Sequence, residues 1–338
     1  MAAALLCGCA LGGRPGAPPG IRAQGAGLVD PRGRPVRLRG VNRSGTEYAC
    51  IQGRGIFAGP ADDAAVAAIA AWRVNVVRVP LNQSCWLGRD GVPPRFGGRA
   101  YQDSIAAFVG RIRRAGMRVV LELHWAGPGT TPATAQPPMP DRAHAPEFWR
   151  QVAAAYRGDQ GVIFDLLNEP FPDGNRDTPE AWRCWRDGGT CAGVPYEAAG
   201  MQELVHAVRG AGARNLIVLG GVQYANGLSG WLAHRPVDPA ENLAAGWHVY
   251  NFNPCRTRVC WDAHAAPVAR QVPLLLAELG DDRGGAAFVG ELMDWMDARG
   301  AGYLAWSWNV WGQPLDLIAA HDGTPTPYGA IFRARFAR

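Results

Sequence analysis

An α/β fold whose eight parallel strands close into a single (β/α)8 TIM barrel is what the sequence predicts, on three observations. Eight apolar, strand-like runs alternate with amphipathic helical runs along most of the 338 residues. Several of these runs, among them Val119–Leu121 and Leu274–Ala277, are continuously apolar, as strands buried on both faces are. Polar side chains collect at the C-terminal ends of nearly every run, the place where such a barrel builds its site. Periodicity alone also permits an open doubly wound sheet, but an open sheet gives no reason for polar ends on so many strands. At 48% hydrophobic and 19% charged, the chain can bury a large core.

The elements follow in order. Met1–Gly12 (MAAALLCGCALG) is apolar and rich in small residues, like a clipped secretory signal. Its LCGC also resembles a bacterial lipobox, in which Cys9 would carry a lipid anchor. Arg14–Gln24 is rich in Gly, Pro and Arg without periodicity and reads as a linker, so residues 1–24 are set apart from a barrel domain over 25–338. The strand candidates are Val36–Asn42, Asn75–Pro80, Arg118–His124, Val162–Asn168, Leu216–Gly221, Ala245–Tyr250, Pro273–Glu278 and Gly302–Trp308. Ile105, Phe108, Val109 and Ile112 recur at i, i+3, i+4, i+7, as do Met201, Leu204, Val205 and Val208, which predicts helices there. Asp62–Trp72 and Gly284–Arg299 also read as helices.

Composition excludes several classes. The net charge of +5 comes from 34 basic residues, all of them Arg, and no basic run marks a nucleic-acid surface. No apolar stretch reaches the roughly 18 residues of a spanning helix. Beyond Cys7 and Cys9 there are Cys50, Cys85, Cys184, Cys191, Cys255 and Cys260, an even number in predicted loops that suits disulfides in an oxidising compartment. The close pairs Cys184–Cys191 and Cys255–Cys260 leave Cys50–Cys85. A zinc site lacks the CxxC spacing it would need.

Two runs, Val162–Pro170 (VIFDLLNEP) and Val272–Gly280 (VPLLLAELG), lead straight into Glu169 and Glu278. Two carboxyl groups from separate strands are what cleavage of a glycosidic bond requires: one protonates the leaving oxygen while the other attacks or stabilises the sugar. Arg78 in VVRVPL, His124 in LELHW, Asn168–Glu169 in LLNEP, His248 and Tyr250 in WHVY, Glu278 in LLAELG and Trp306 in LAWSWN arrive in series. Together, from Val36 to Trp308, they resemble glycoside hydrolase family 5 of clan A.

That resemblance implies a retaining β-glycoside hydrolase, with Glu169 as acid/base and Glu278 as nucleophile. It further implies Arg78 and Tyr250 against Glu278, His248 near Glu169, Asn168 on the sugar 2-hydroxyl and Trp306 as the sugar platform, with Trp308 as the register alternative; His124 joins the substrate-binding set. No cofactor or metal is implied, and Glu122 with His124, at i, i+2, lacks a complete ligand set. Of 13 tryptophans, Trp86, Trp125, Trp185, Trp261 and Trp311 fall in predicted loops as candidates for further subsites, while Trp72, Trp149 and Trp295 on helices belong to the core. The expected partner of this monomer is a β-linked oligo- or polysaccharide, cut internally as a cellulase-like β-glucanase does. Other activities of the family are β-mannanase, exo-β-glucanase, diglycosidase and glycolipid glycosidase. Tyr48–Phe57 (YACIQGRGIF) and the Cys-bearing Arg183–Cys191 depart from a usual cellulase. A non-catalytic carbohydrate-binding barrel is the alternative of a different class, and a metal-dependent barrel hydrolase is a third. The expected location is outside the cytoplasm, as a secreted protein or surface lipoprotein.

Overall fold

The computed structural model describes residues 16–338, so the signal and lipobox readings, Cys9 included, lie outside the described residues. Eight parallel strands close into a barrel. They are β1 (Arg39–Asn42), β2 (Val76–Asn82), β3 (Arg118–Trp125), β4 (Val162–Asp165), β5 (Ile217–Gly220), β6 (Leu243–Tyr250), β7 (Leu274–Gly280) and β8 (Gly302–Ala305), with β8 pairing back onto β1. Each stands where the sequence places it. The ladder of β4 stops before Asn168, that of β8 stops before Trp306, and β7 runs two residues past Glu278.

The core has two layers, as a closed sheet with helices outside it must. Leu38, Val76, Val120, Ile163, Val218, Leu275 and Leu304 fill the barrel, and the opposite faces of the same strands pack against the surrounding helices. The helices lie where the apolar period predicts: Asp63–Ala70, capped by the Asp62 carboxylate on Ala65 N, then Arg99–Arg114, Met201–Gly210 and Ala286–Asp297. Among the described residues no helix is long and apolar enough to cross a membrane.

The expected linker is in part structured. Arg22–Gln24, Gly27–Val29 and Pro35–Val36 form a small antiparallel sheet, and Ile21, 3% exposed, joins the barrel-filling layer. Arg113 and Arg118 hydrogen-bond the carbonyls of Pro18 and Pro19. Gly- and Pro-rich composition hid this because the segment is ordered by contacts with distant residues, not by a local period.

Three disulfides join Cys50–Cys85, Cys184–Cys191 and Cys255–Cys260, the pairs read from the sequence. The first spans 35 residues and ties the β1 loop to the helical turn Gln83–Leu87 after β2. Chain-entropy arguments give it about 3–4 kcal/mol, and about 2 kcal/mol to each short bridge. Replacing Cys50 and Cys85 together by serine is therefore expected to lower stability by about 3 kcal/mol in a denaturant titration, more than loss of either short bridge.

Candidate active site

Glu278 owes its place to an irregularity in β7. Trp247 of β6 pairs with Leu276, but the next residue, His248, pairs with Glu278, so Ala277 is an extra residue in the ladder. Leu276 and Leu279 both pack outward, three positions apart rather than two, while Ala277 fills the barrel. This bulge turns Glu278 inward, where strict alternation from Leu275 would send it to the helices. Tyr250 Oη donates to Glu278 Oε2 at 2.7 Å, and Arg78 Nη1 donates to Oε1 at 2.6 Å. A side chain at Gly280 would meet the Tyr250 ring at 2.7 Å, so the glycine lets that tyrosine reach the carboxylate.

Arg78, fully buried on β2, is the hub of the floor. Its other donors reach Asn42 Oδ1 at 3.0 Å, Asp165 Oδ2 at 3.0 Å and Asn168 Oδ1 at 2.9 Å, with Glu122 at 3.6 Å. Burial would raise Glu122, but Arg78 and His124 hold its carboxyl below the usual range. Burial drives Asp165 the other way, up to about 7 against the pull of the same arginine. Arg78 thus serves three acids, with the His124 imidazole as a second positive partner of Glu122.

Glu169 stands beyond the end of β4, with its side chain 19% exposed. Burial raises its carboxyl above the usual range, against a hydrogen bond from Gln136 and the charges of His124 and Arg78. Its Oε1 lies 2.9 Å from His248 Nδ1. Burial lowers His248 to about 4 and the positive neighbours Arg78 and His124 add to that, so the imidazole is neutral at ordinary pH. A neutral Nδ1 accepts from a protonated Glu169 or donates to an ionised one, according to tautomer. Oxygens of Glu169 and Glu278 and a ring nitrogen of His248 lie within 4.8 Å of one another. These are donors a divalent cation accepts, but Arg78 already neutralises Glu278 at 2.6 Å, so an ion here would meet a fixed positive charge.

His124 Nδ1 is 3.0 Å from Glu122. Burial alone would make this imidazole less basic, but the Glu122 charge and hydrogen bond outweigh it and raise His124 to about 9. Glu122 is thus paired with His124 and lies 3.6 Å from the Arg78 guanidinium, with one of its buried oxygens left without a hydrogen bond among the described residues. Trp306 lies half-buried with its ring stacked on His124, centroids 5.9 Å apart at 22°.

Trp308 is not at the cleft. It is 3% exposed and packs edge-on against Trp72 at 4.8 Å, because the chain has left the ladder after Ala305 and the two-residue alternation no longer holds. Trp86, Trp185 and Trp261, read as loop residues able to line subsites, are core side chains 2% exposed or less; their loops fold back as helical turns over the barrel. Trp125 and Trp311 do reach the surface, joined through Tyr48: Trp311 Nε1 donates to Tyr48 Oη at 3.0 Å, and the Tyr48 and Trp125 rings are 6.0 Å apart. A second group of rings comes from loops after β4, β5 and β6: partly buried Phe171 with exposed Tyr224 at 4.6 Å, and exposed Phe252 stacked at 5.1 Å on the buried Tyr250.

The sequence reading passed over Gln136 and Asp165. Asp165 had a signal, an acid at an inward position of an apolar strand; Gln136 had none, since it sits in the aperiodic stretch between β3 and the helix Ala145–Tyr156.

A barrel that brings two glutamates from separate strands to within a sugar's width, one against an arginine and one against a neutral imidazole, defines a glycoside hydrolase. The chain belongs to glycosyl hydrolase family 5: the family model described as Cellulase (glycosyl hydrolase family 5) matches residues 29–312. It is 26% identical over 332 residues to a mannan endo-1,4-beta-mannosidase of Streptomyces lividans, covering 94% of this chain and 74% of that protein. It is 20% identical to the cellulase CelDZ1 of Thermoanaerobacterium sp, over 84% of this chain and 68% of that one. Among solved structures, the beta-glucanase SdGluc5_26A from Saccharophagus degradans in complex with cellotetraose superposes with a TM-score of 0.73 at 20% identity, covering 95% and 93% of the two chains.

Proposed function

We propose that the enzyme cleaves a β-linked glucan internally with retention of anomeric configuration, Glu169 acting as acid/base and Glu278 as nucleophile. The observation that carries this is the closeness of the two carboxylates, one oxygen of each lying within 4.8 Å of the other, which supports the roughly 5–5.5 Å spacing of double displacement over the roughly 6.5–9.5 Å that leaves room for a direct water attack. Glu278 attacks the anomeric carbon as Glu169 gives its proton to the departing oxygen. Glu169, now a carboxylate, takes a proton from the water that releases the sugar from Glu278. Arg78 and Tyr250 hold the nucleophile, Asn168 binds the 2-hydroxyl, and Trp306 lies under the reacting ring with His124 behind it. A non-catalytic binding barrel would have no use for a carboxylate clamped in this way.

Exposed and partly exposed rings on both halves of the rim, Tyr48, Trp125 and Trp311 on one and Phe171, Tyr224 and Phe252 on the other, support a chain substrate that extends to both sides of the cut. A glucan is the first choice and a mannan the second, favoured by the similarity to the Streptomyces mannosidase. Three disulfides support an extracytoplasmic location for a monomer. A hydrolysis panel of β-glucans, mannan and xyloglucan with products sized tests substrate and mode, and an inverted product anomer by NMR refutes the mechanism.

Glu169→Ala separates the roles further. It is expected to lower kcat on unactivated oligosaccharides by about 10²–10⁴-fold, and the glycosylation of activated aryl glycosides far less, because a good leaving group needs little protonation. Equal losses on both would remove Glu169 from the acid role.

A further inference from the structure

The hydrogen bonds around Gln136 have a fixed polarity. Arg78 has only donors, so the atom of Asn168 that meets it at 2.9 Å is Oδ1, and Nδ2 of Asn168 points the other way. That Nδ2 donates to Gln136 Oε1 at 2.6 Å, which leaves Gln136 Nε2 to donate to Glu169 Oε2 at 2.9 Å. The relay ends on an oxygen that must accept. The carbonyl oxygen of a carboxylic acid is the better acceptor, so this contact favours the hydrogen of protonated Glu169 on Oε1, beside His248 Nδ1 at 2.9 Å. One carboxamide so engages both the group that binds the 2-hydroxyl and the acid that faces the scissile oxygen.

We propose that Gln136 is a positioning residue whose carboxamide competes with the sugar for Asn168 and Glu169, holding the acid's hydrogen on Oε1 until the 2-hydroxyl and the glycosidic oxygen take over its two contacts. This rests on the reading of Glu169 as the acid and Asn168 as the 2-hydroxyl ligand. Two effects follow from its removal. Asn168 Nδ2 no longer has a protein acceptor at 2.6 Å to give up, so substrate binds more readily. Glu169 also loses a donor that favours its ionised form, so it keeps its proton to higher pH. The other groups facing Glu169 stay in place: His248 and Tyr250 from β6, Glu278 from β7, His124 and Glu122 from β3, and Arg78 from β2.

The test is the pH dependence of kcat/KM, with KM, for wild type, Gln136→Ala and Gln136→Glu on aryl β-cellobiosides and aryl β-mannobiosides, alongside thermal unfolding to verify the fold. Gln136→Ala is expected to lower KM a few-fold and to move the basic limb up by about half to one pH unit. Gln136→Glu, which puts a like charge beside Glu169, is expected to move the limb at least as far. A folded Gln136→Ala enzyme with an unchanged limb and an unchanged or higher KM overturns the proposal. Glu169→Ala tells the two readings apart. If that variant shows no dependence on leaving group, the acid assignment falls. If it does show one while Gln136→Ala matches wild type, the role of Gln136 alone falls.

Discussion

Glu278→Gln is expected to lower kcat by on the order of 10⁴-fold or more while leaving thermal unfolding close to that of the wild type, because the change removes the attacking charge at nearly constant volume. The surroundings accommodate an amide. Its oxygen can face Arg78 Nη1, and its nitrogen can donate to the Tyr250 oxygen, which accepts as well as donates. Arg78 keeps Asp165, Asn42 and Asn168 as partners. Initial rates on the preferred substrate together with a melting curve check both halves. Turnover near the wild-type rate would exclude Glu278 as nucleophile.

Arg78→Met should have the largest effect on stability, a loss of about 3–5 kcal/mol, since it strips the shared cation from acids that are almost wholly buried. Its pH dependence has a definite sign. In the wild type Glu122 titrates below its unfolded value, so its contribution is present above that value and is lost as pH falls. Asp165, raised to about 7, works the other way: it favours the fold at low pH and ceases to as pH rises toward 7. Without Arg78 both acids are pushed toward their protonated forms. The deficit measured by denaturant titration should therefore be greatest at and above pH 7 and shrink as the solution is acidified. A deficit that grows on acidification would mean that the arginine acts by packing rather than by charge. Activity should be lost at every pH, because Glu278 loses its 2.6 Å partner.

Much of this site was legible in the sequence because a strand buried on both faces has little tolerance for charge. Arg78, Glu169 and Glu278 stand out against runs such as VVRVPL, VIFDLLNEP and LLLAELG, and each lies at the mouth or on the floor of the cleft. The disulfides were legible for a different reason, since two of the bridges close loops of 7 and 5 residues and leave a single pair over. The tryptophans were harder. A loop position in sequence does not say whether the loop folds back, and Trp86, Trp185 and Trp261 went to the core while Trp125 and Trp311 reached the rim.

What the sequence by itself determined is the alternation of eight strands with helices and the two glutamates that end two of the apolar runs. Both are local properties, carried by side-chain period and by the cost of burying charge. Only the tertiary structure decided that Ala277 is an extra residue which swings Glu278 inward, that Trp308 turns to the helices, and that Gln136 crosses from its loop to Asn168 and Glu169. Those outcomes depend on ladder register and on contacts between residues far apart in the chain, and no period along the sequence records them.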